Sequence, residues 1–199
     1  MKDGDSYPIN SRGYFERAKK RFSEGSEASL VYAILELRCA IEARLQEILD
    51  PHDHVPKKAK RTYKIDHLSK AISKNLCSEN TGSTITVTDG DKTFVFRYIP
   101  VSLFLRKFAE KSGDYLHALK RPMDKKSWEA LRSETEKAIL ALEENLTGNL
   151  LGPALMGAGN LCSLNIELEN YKDTLPDFAK KAIGDDRGMI LSVDYFEVQ

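Results

Sequence analysis

A short basic stretch carries the residue types in this sequence that point most directly to a chemical role. Five of the eight side chains in residues 57–64 are cationic, and an aromatic ring lies among them: Lys57, Lys58, Lys60, Arg61 and Lys64, with Tyr63. Ammonium and guanidinium groups contact phosphates, and an aromatic ring offers a base a stacking surface. The stretch is therefore a candidate nucleic-acid-binding segment. The alternative is a solvated charged face without a ligand.

The familiar catalytic and metal-binding motifs are absent from the sequence. It contains no phosphate-binding P-loop, no GxGxxG, no GxSxG and no HExxH. The three cysteines, Cys39, Cys77 and Cys162, are far apart and form no CxxC pair, which predicts reduced thiols in a cytoplasmic protein. His52 and His54 flank Asp53, but two imidazoles without further ligands do not define a metal site. We expect neither a metal nor a cofactor.

The charges are balanced overall but unevenly distributed. Residues 1–127 hold 24 Lys and Arg against 17 Asp and Glu, a net charge of +7, whereas residues 128–199 have a net charge of −7. Such asymmetry indicates either a basic face for nucleic acid or two segments that attract each other, within one fold or across a dimer.

The longest apolar run is well under the roughly 18 residues that a membrane span needs, so no membrane contact is expected. The polar N-terminus is no signal peptide.

Residues 26–50 form the most regular pattern of the chain. Their apolar side chains recur every three or four residues, which predicts one buried helical face: Leu30, Ile34, Leu37, Ile41, Leu45 and Ile48. Ser26 is placed to cap the helix N-terminus, and Gly25 should end the segment that precedes the helix. Asp50 stands before a proline and should end the helix.

Arg38 departs from this pattern because it falls inside the apolar sector of the same helix, with Glu42 one turn later. One interpretation is an ion pair at the edge of the core. The other is a charged pair that faces a cleft or a symmetric partner.

Four further helices are predicted over residues 12–24, 66–76, 101–111 and 125–147, with a short segment at 114–119 and a loop or frayed helix at 51–64. Ser11, Asp66 and Asp124 are the expected N-caps. Between the helices the hydrophobic period changes to two around Asp89-Gly90, a hairpin signal that predicts strands 84–89 and 92–99.

The predicted fold class is mainly α (α+β). Residues 1–10 form a flexible arm, and residues 11–148 form an antiparallel helical bundle with a β-hairpin insertion at 84–99. Residues 149–199 form a small C-terminal α+β extension packed on the bundle, with strands at 164–168 and 189–198 and a helix at 175–183. The sequence does not decide whether these strands pair with the hairpin.

The helical pattern from Ala28 to Leu45, the later Gly113-Asp114-Tyr115-Leu116-His117 and the last long helix together resemble the HEPN family of helical bundles, over residues 10–147. The resemblance implies a homodimer and a place in toxin–antitoxin or phage-defence systems. Active HEPN proteins are metal-independent ribonucleases that carry an Arg, four to six residues, and then a His. The pair polarises the scissile phosphate and helps to move the proton of the attacking 2′-hydroxyl. The family also has non-catalytic members.

Two pairs of residues in the sequence come close to matching that motif. Arg61 and His67 have the right spacing, but chance alone produces about 0.7 such matches in this composition. Lys111 and His117 precede the last helix, where the resemblance places the motif. The resemblance then implies that Lys111 holds phosphate and that His117 acts on the 2′-hydroxyl or leaving-group proton. However, lysine lacks the bidentate fork of arginine, and His117 also fits a half-buried histidine near a helix start.

Two main hypotheses follow. The first is an HEPN-like module associated with RNA, which would cleave it without a metal if it is active. The second is a non-catalytic interaction module, in which the acidic C-terminal part and the hairpin edge dock a partner protein. A small-molecule pocket between bundle and sheet is a remote third. We favour the absence of catalysis slightly.

Overall fold

The computed structural model describes residues 7–76, 80–89, 92–116, 123–153, 155–156, 162–163 and 190–198. The fold is mainly helical with a small antiparallel sheet, as predicted. In chain order the described elements are α1 (Ser11–Ser23), α2 (Glu27–Leu49), α3 (Lys57–Lys60), α4 (Ile65–Asn75), β1 (Thr81–Asp89), β2 (Lys92–Tyr98), α5 (Leu103–Lys111), α6 (Gly113–Leu116), α7 (Lys125–Asn145), β3 (Leu155–Met156), β4 (Cys162–Ser163) and β5 (Ile190–Glu197).

Helix α2 is the centre of the bundle. The six apolar residues of its predicted buried face are each at most 2% exposed, and α1, α4, α5 and α7 all pack against this helix. Ser26 accepts a hydrogen bond from Ser29 N and so caps α2 as predicted. Gly25 adopts a φ of +80°, which a residue with a Cβ avoids, and this lets the chain turn sharply from α1 into α2.

Two of the three other predicted caps are wrong. Asn10, not Ser11, caps α1 by accepting from Gly13 N, because the Ser11 hydroxyl donates to Glu47 instead, at 2.7 Å. Asp66 lies in the first turn of α4 rather than before it, and it forms an ion pair with Lys70 at 2.7 Å. Asp124 caps α7 as predicted, since its side chain accepts from Ser127 N. Both helices therefore begin one residue earlier than predicted, which places Ser11 and Asp66 inside the first turn.

The predicted hairpin is confirmed, and the C-terminal strand joins it. The sheet order is β2-β1-β5, with β1 antiparallel to both neighbours, so that Ile85 lies opposite Phe96 on one side and Val193 on the other. Strand β1 begins three residues earlier than predicted because β5 extends the pairing to Thr81. The predicted strand 164–168, the helix 175–183 and residues 117–119 lie outside the described residues.

A buried arginine ties together the ends of three helices. Arg44 on α2 is fully buried, with Nη1 3.5 Å from Glu47 Oε2 and Nη2 3.5 Å from the carbonyl oxygen of Gly148, just after α7. Glu47 in turn accepts from both the backbone N and the hydroxyl of Ser11, each at 2.7 Å. This network fixes the start of α1 and the exit of α7 against the same turn of α2.

We predict that Arg44→Ala lowers the free energy of unfolding by about 3 kcal/mol, because it truncates one of the largest fully buried side chains and leaves a cavity where Arg44 packed. Urea unfolding of the purified variant measures this. Arg21→Ala is the matched control, since Arg21 pairs with Glu24 on the surface and such pairs contribute less than about 1 kcal/mol. Equal losses in the two variants would show that the buried network contributes no special stability.

Candidate nucleic-acid interface

The basic stretch 57–64 forms α3 and the segment that leads into α4, on the surface of the bundle. Lys57, Lys58, Arg61 and Lys64 are exposed, and the Tyr63 side chain is 68% exposed. Lys60 differs from the others because its Nζ donates to the carbonyl oxygen of Asp50 at 2.9 Å. Lys60 therefore fastens α3 to the end of α2, where a cation is favourable, and is less free to meet a ligand.

Helix α4 adds cations that are not contiguous with this stretch. His67, Lys70 and Lys74 are exposed on α4, at a spacing that places them along one helix face. The opposite face, including Leu68 and Ile72, is buried in the core. The outward direction of the three basic side chains is thus set by the burial of the apolar ones.

These side chains and α3 enclose a groove with a volume of about 480 Å³, called the basic groove below. Its lining carries lysines from both helices, Lys58 on α3 and Lys70 and Lys74 on α4, together with His67, and Ala59 and Ala71 contribute methyl groups. Of the residues predicted to bind nucleic acid, Lys58 lines the groove. The others lie beside it along the chain.

The acidic side chain nearest this set is Asp66. It pairs with Lys70, whose hydrogen bond is the main reason that the pKa of Asp66 is lowered, and its other oxygen lies 3.6 Å from His67 Nε2. None of the ion pairs within the described residues involves Lys58 or Lys74. The groove therefore keeps a net positive charge after its internal pairing is counted.

Of the two metal candidates, His54 has a backbone hydrogen-bond partner, whereas the buried Nε2 of His52 has none among the described residues. His54 Nε2 lies 3.2 Å from the carbonyl oxygen of Asn75. His52 is 5% exposed and packs closely against Gly152, where a Cβ would approach its Nε2 to 2.9 Å. In the described part of the chain no three His, Cys, Asp or Glu side chains converge as metal ligands.

Lys111, the predicted phosphate-holding residue, ends α5 and contacts α7. Its Nζ lies 3.1 Å and 3.3 Å from the two carboxylate oxygens of Glu134, and this hydrogen bond is the main reason that its pKa is raised. The ammonium stays charged, but a carboxylate already balances it, and Lys111 does not line the basic groove. His117, its proposed catalytic partner, lies outside the described residues.

Arg38 holds the corner between α5 and α6. Its Nη1 donates to the carbonyl oxygen of Ala109 at 2.7 Å, and the buried hydroxyl of Ser112 donates to the same oxygen at 2.7 Å. Burial raises the pKa of Glu42, and the positive charge of Arg38 opposes this effect. The sequence marked Arg38 as unusual but gave no sign of its carbonyl partner, because every residue carries that acceptor.

No protein family, curated protein or solved structure matches the chain. No helix in the described ranges is both long and apolar enough to cross a membrane.

His52 generates a prediction about pH. Burial, then the charges of His54 and Lys60, lower the pKa of His52 below its usual 6.5. The unfolded chain consequently binds more protons than the folded one at pH values below about 6.5, and stability should fall as the pH falls through that range. We predict that His52→Gln shows a smaller loss of unfolding free energy between pH 7.5 and 5.5 than the wild type, measured by urea unfolding.

The control for this prediction is His67→Gln, which removes an exposed imidazole instead. Equal pH dependence in the wild type and in His52→Gln would mean that His52 does not sense the pH.

Proposed function

We propose that this chain is an HEPN-like helical module that binds RNA through the basic groove, in a cytoplasmic defence or toxin–antitoxin setting. The observation that carries the proposal is the convergence of α3 and α4. Together they place Lys58, His67, Lys70 and Lys74 around one concave surface. A solvated charged face does not require such a concave arrangement, whereas a polyanion gains from several cations at once.

The position of the basic stretch supports the same function. Lys57, Arg61, Tyr63 and Lys64 are exposed next to the groove along the chain, so they extend the positive surface beyond it. Arginine and lysine contacts to phosphates give affinity without reading the sequence. The proposed module therefore binds RNA with little base specificity from these residues.

Cleavage is not part of the favoured proposal. A catalytic Lys111 would have to exchange Glu134 for a scissile phosphate, and it would do so without the bidentate geometry of arginine. If the chain is active, we propose Lys111 and His117 as the pair that acts without a metal. The homodimer implied by the HEPN resemblance remains part of the proposal.

A second candidate function is a non-catalytic protein-interaction module, and the outer face of α7 favours it. Leu140 is 60% exposed there, and exposed Glu136, Glu143 and Glu144 lie within one helical turn of it, with Lys137 as the one exposed cation within that turn. An exposed apolar side chain with an acidic rim suits a basic protein partner. This face and the basic groove carry opposite charge, so the two functions are compatible.

We predict that Lys58→Ala/Lys74→Ala weakens RNA binding and flattens its salt dependence. Each phosphate contact on a single strand contributes about 0.7 to the slope of log K against log salt, so the loss of two should reduce the slope by about 1.4. Fluorescence anisotropy with a labelled oligonucleotide at several salt concentrations measures both effects. Lys125→Ala is the control. Lys125 lies on α7 outside the groove lining, is 92% exposed and has Glu129 at 3.9 Å, so it removes a surface cation without changing the groove.

Two results would count against this proposal. Binding that ignores salt would exclude phosphate contacts as its source. An equal loss in Lys125→Ala would mean that overall charge, rather than the groove, determines affinity.

We predict that the purified protein leaves mixed RNA intact in EDTA, because Lys111 is paired with Glu134 and lacks the bidentate geometry of arginine. A gel assay with the wild type, Lys111→Ala and His117→Ala tests this. Cleavage by the wild type that disappears in His117→Ala would reverse the prediction and establish an HEPN-type ribonuclease.

A further inference from the structure

We infer that the basic groove binds one unstacked nucleotide of single-stranded RNA, with its base between the helices and its phosphates on the rims. This inference rests on the proposed function and adds the class of RNA and the position of the nucleotide. Its basis is that the groove combines two kinds of surface, cations on both rims and methyl groups between them.

The apolar surface is what distinguishes a base site from a simple phosphate site. Ala59 on α3 and Ala71 on α4 lie in the groove together with Pro56. A bare phosphate or a duplex backbone gains nothing from such a surface, because it presents only charged and sugar groups. A splayed base has an apolar face that is buried when it enters, and proteins usually recognise RNA by taking in bases of this kind.

The groove also has the right size and charge. Its volume of about 480 Å³ lies within the range of sites for small organic ligands, which is enough space for one nucleotide. Lys58 and Lys74 stand on opposite helices, and neither is engaged in an ion pair within the described residues. Phosphates on either side of one nucleotide can therefore each meet a cation.

The walls are held in place before a ligand arrives. Ile65, Leu68 and Ile72 anchor α4 in the core, and the Lys60 bond to Asp50 ties α3 to α2. Tyr63 follows Thr62, which lines the groove, and its ring is 68% exposed. An exposed ring one residue along the chain from the groove lining offers a stacking surface to the next base.

The test compares a labelled oligouridine strand with an RNA hairpin duplex of equal phosphate number, by fluorescence anisotropy on the full chain. We expect the single strand to bind at least about tenfold more tightly, an effect within the range expected for one stacked base. Tyr63→Ala should weaken single-strand binding and Tyr63→Phe should restore it. Tyr32→Ala, which removes another exposed ring (58%), should leave binding unchanged.

A second variant tests the position of the base. Ala59 is half-buried at the groove, and Ala59→Phe fills the space without changing the charge. We expect this variant to lose the preference for single strands while its salt dependence stays close to that of the wild type. Thermal unfolding checks that it is folded, and Thr62→Phe serves as the replacement if it is not.

The outcomes separate the inference from the proposed function. Equal affinity for strand and duplex with a steep salt dependence would overturn the single-nucleotide site but leave RNA binding intact. If a folded Ala59→Phe variant still prefers single strands to the duplex, the base does not bind in the basic groove. Uridine monophosphate that binds as tightly as the oligomer would identify a free nucleotide as the ligand instead. Failure of the wild type to bind any RNA would overturn both proposals.

Discussion

The burial of one apolar stripe on α2 determines the arrangement of the other helices. All six of its residues are at most 2% exposed, and burying a Leu or Ile side chain contributes about 1.5–3 kcal/mol, so the stripe contributes on the order of 10 kcal/mol. Helices α1, α4, α5 and α7 share this surface. Arg44 lies on the same helix, and its buried charge is tolerated because Glu47 and the Gly148 carbonyl approach it. Apolar burial thus sets where the helices lie, and the arginine network fixes two of their ends.

The basic groove is a consequence of this packing. Once Leu68 and Ile72 turn inward, the helical period leaves His67, Lys70 and Lys74 outward, opposite the short α3. The same reasoning explains why the groove has methyl groups between its rims, since Ala71 lies at the boundary between the core and the surface and is 7% exposed. A cationic site with an apolar interior therefore arises where an amphipathic helix meets a short, basic one.

The helices and the hairpin could be predicted because their signals are local. The apolar period of α2 and the Asp89-Gly90 turn each depend on adjacent residues. The pairing of β5 with β1 could not be predicted, because the choice of a neighbouring strand depends on packing that no short pattern encodes.

Lys58 could be found in the sequence because it belongs to a contiguous basic run. Lys70 and Lys74 are dispersed, and they converge only once α4 is known to be a helix. A helical wheel of residues 65–75 carries that signal. The Lys111–Glu134 pair joins residues that are distant in sequence and had no signal at all.

The relation between the groove and the end of α5 bears on whether binding leads to chemistry. The pKa of Lys70 is raised first by its hydrogen bond to Asp66, and the charge of Glu110 on α5 adds to this effect, so the α4 rim of the groove lies within electrostatic range of the residue next to Lys111. Glu110 adjoins Lys111 in the sequence and Glu134 forms an ion pair with Lys111, and carboxylates repel phosphate. The ammonium of Lys111 stays charged, but the carboxylate of Glu134 lies 3.1 Å away and balances it. The surface around Lys111 is therefore less favourable to a phosphate than the basic groove, where Lys58 and Lys74 have no acidic partner within the described residues.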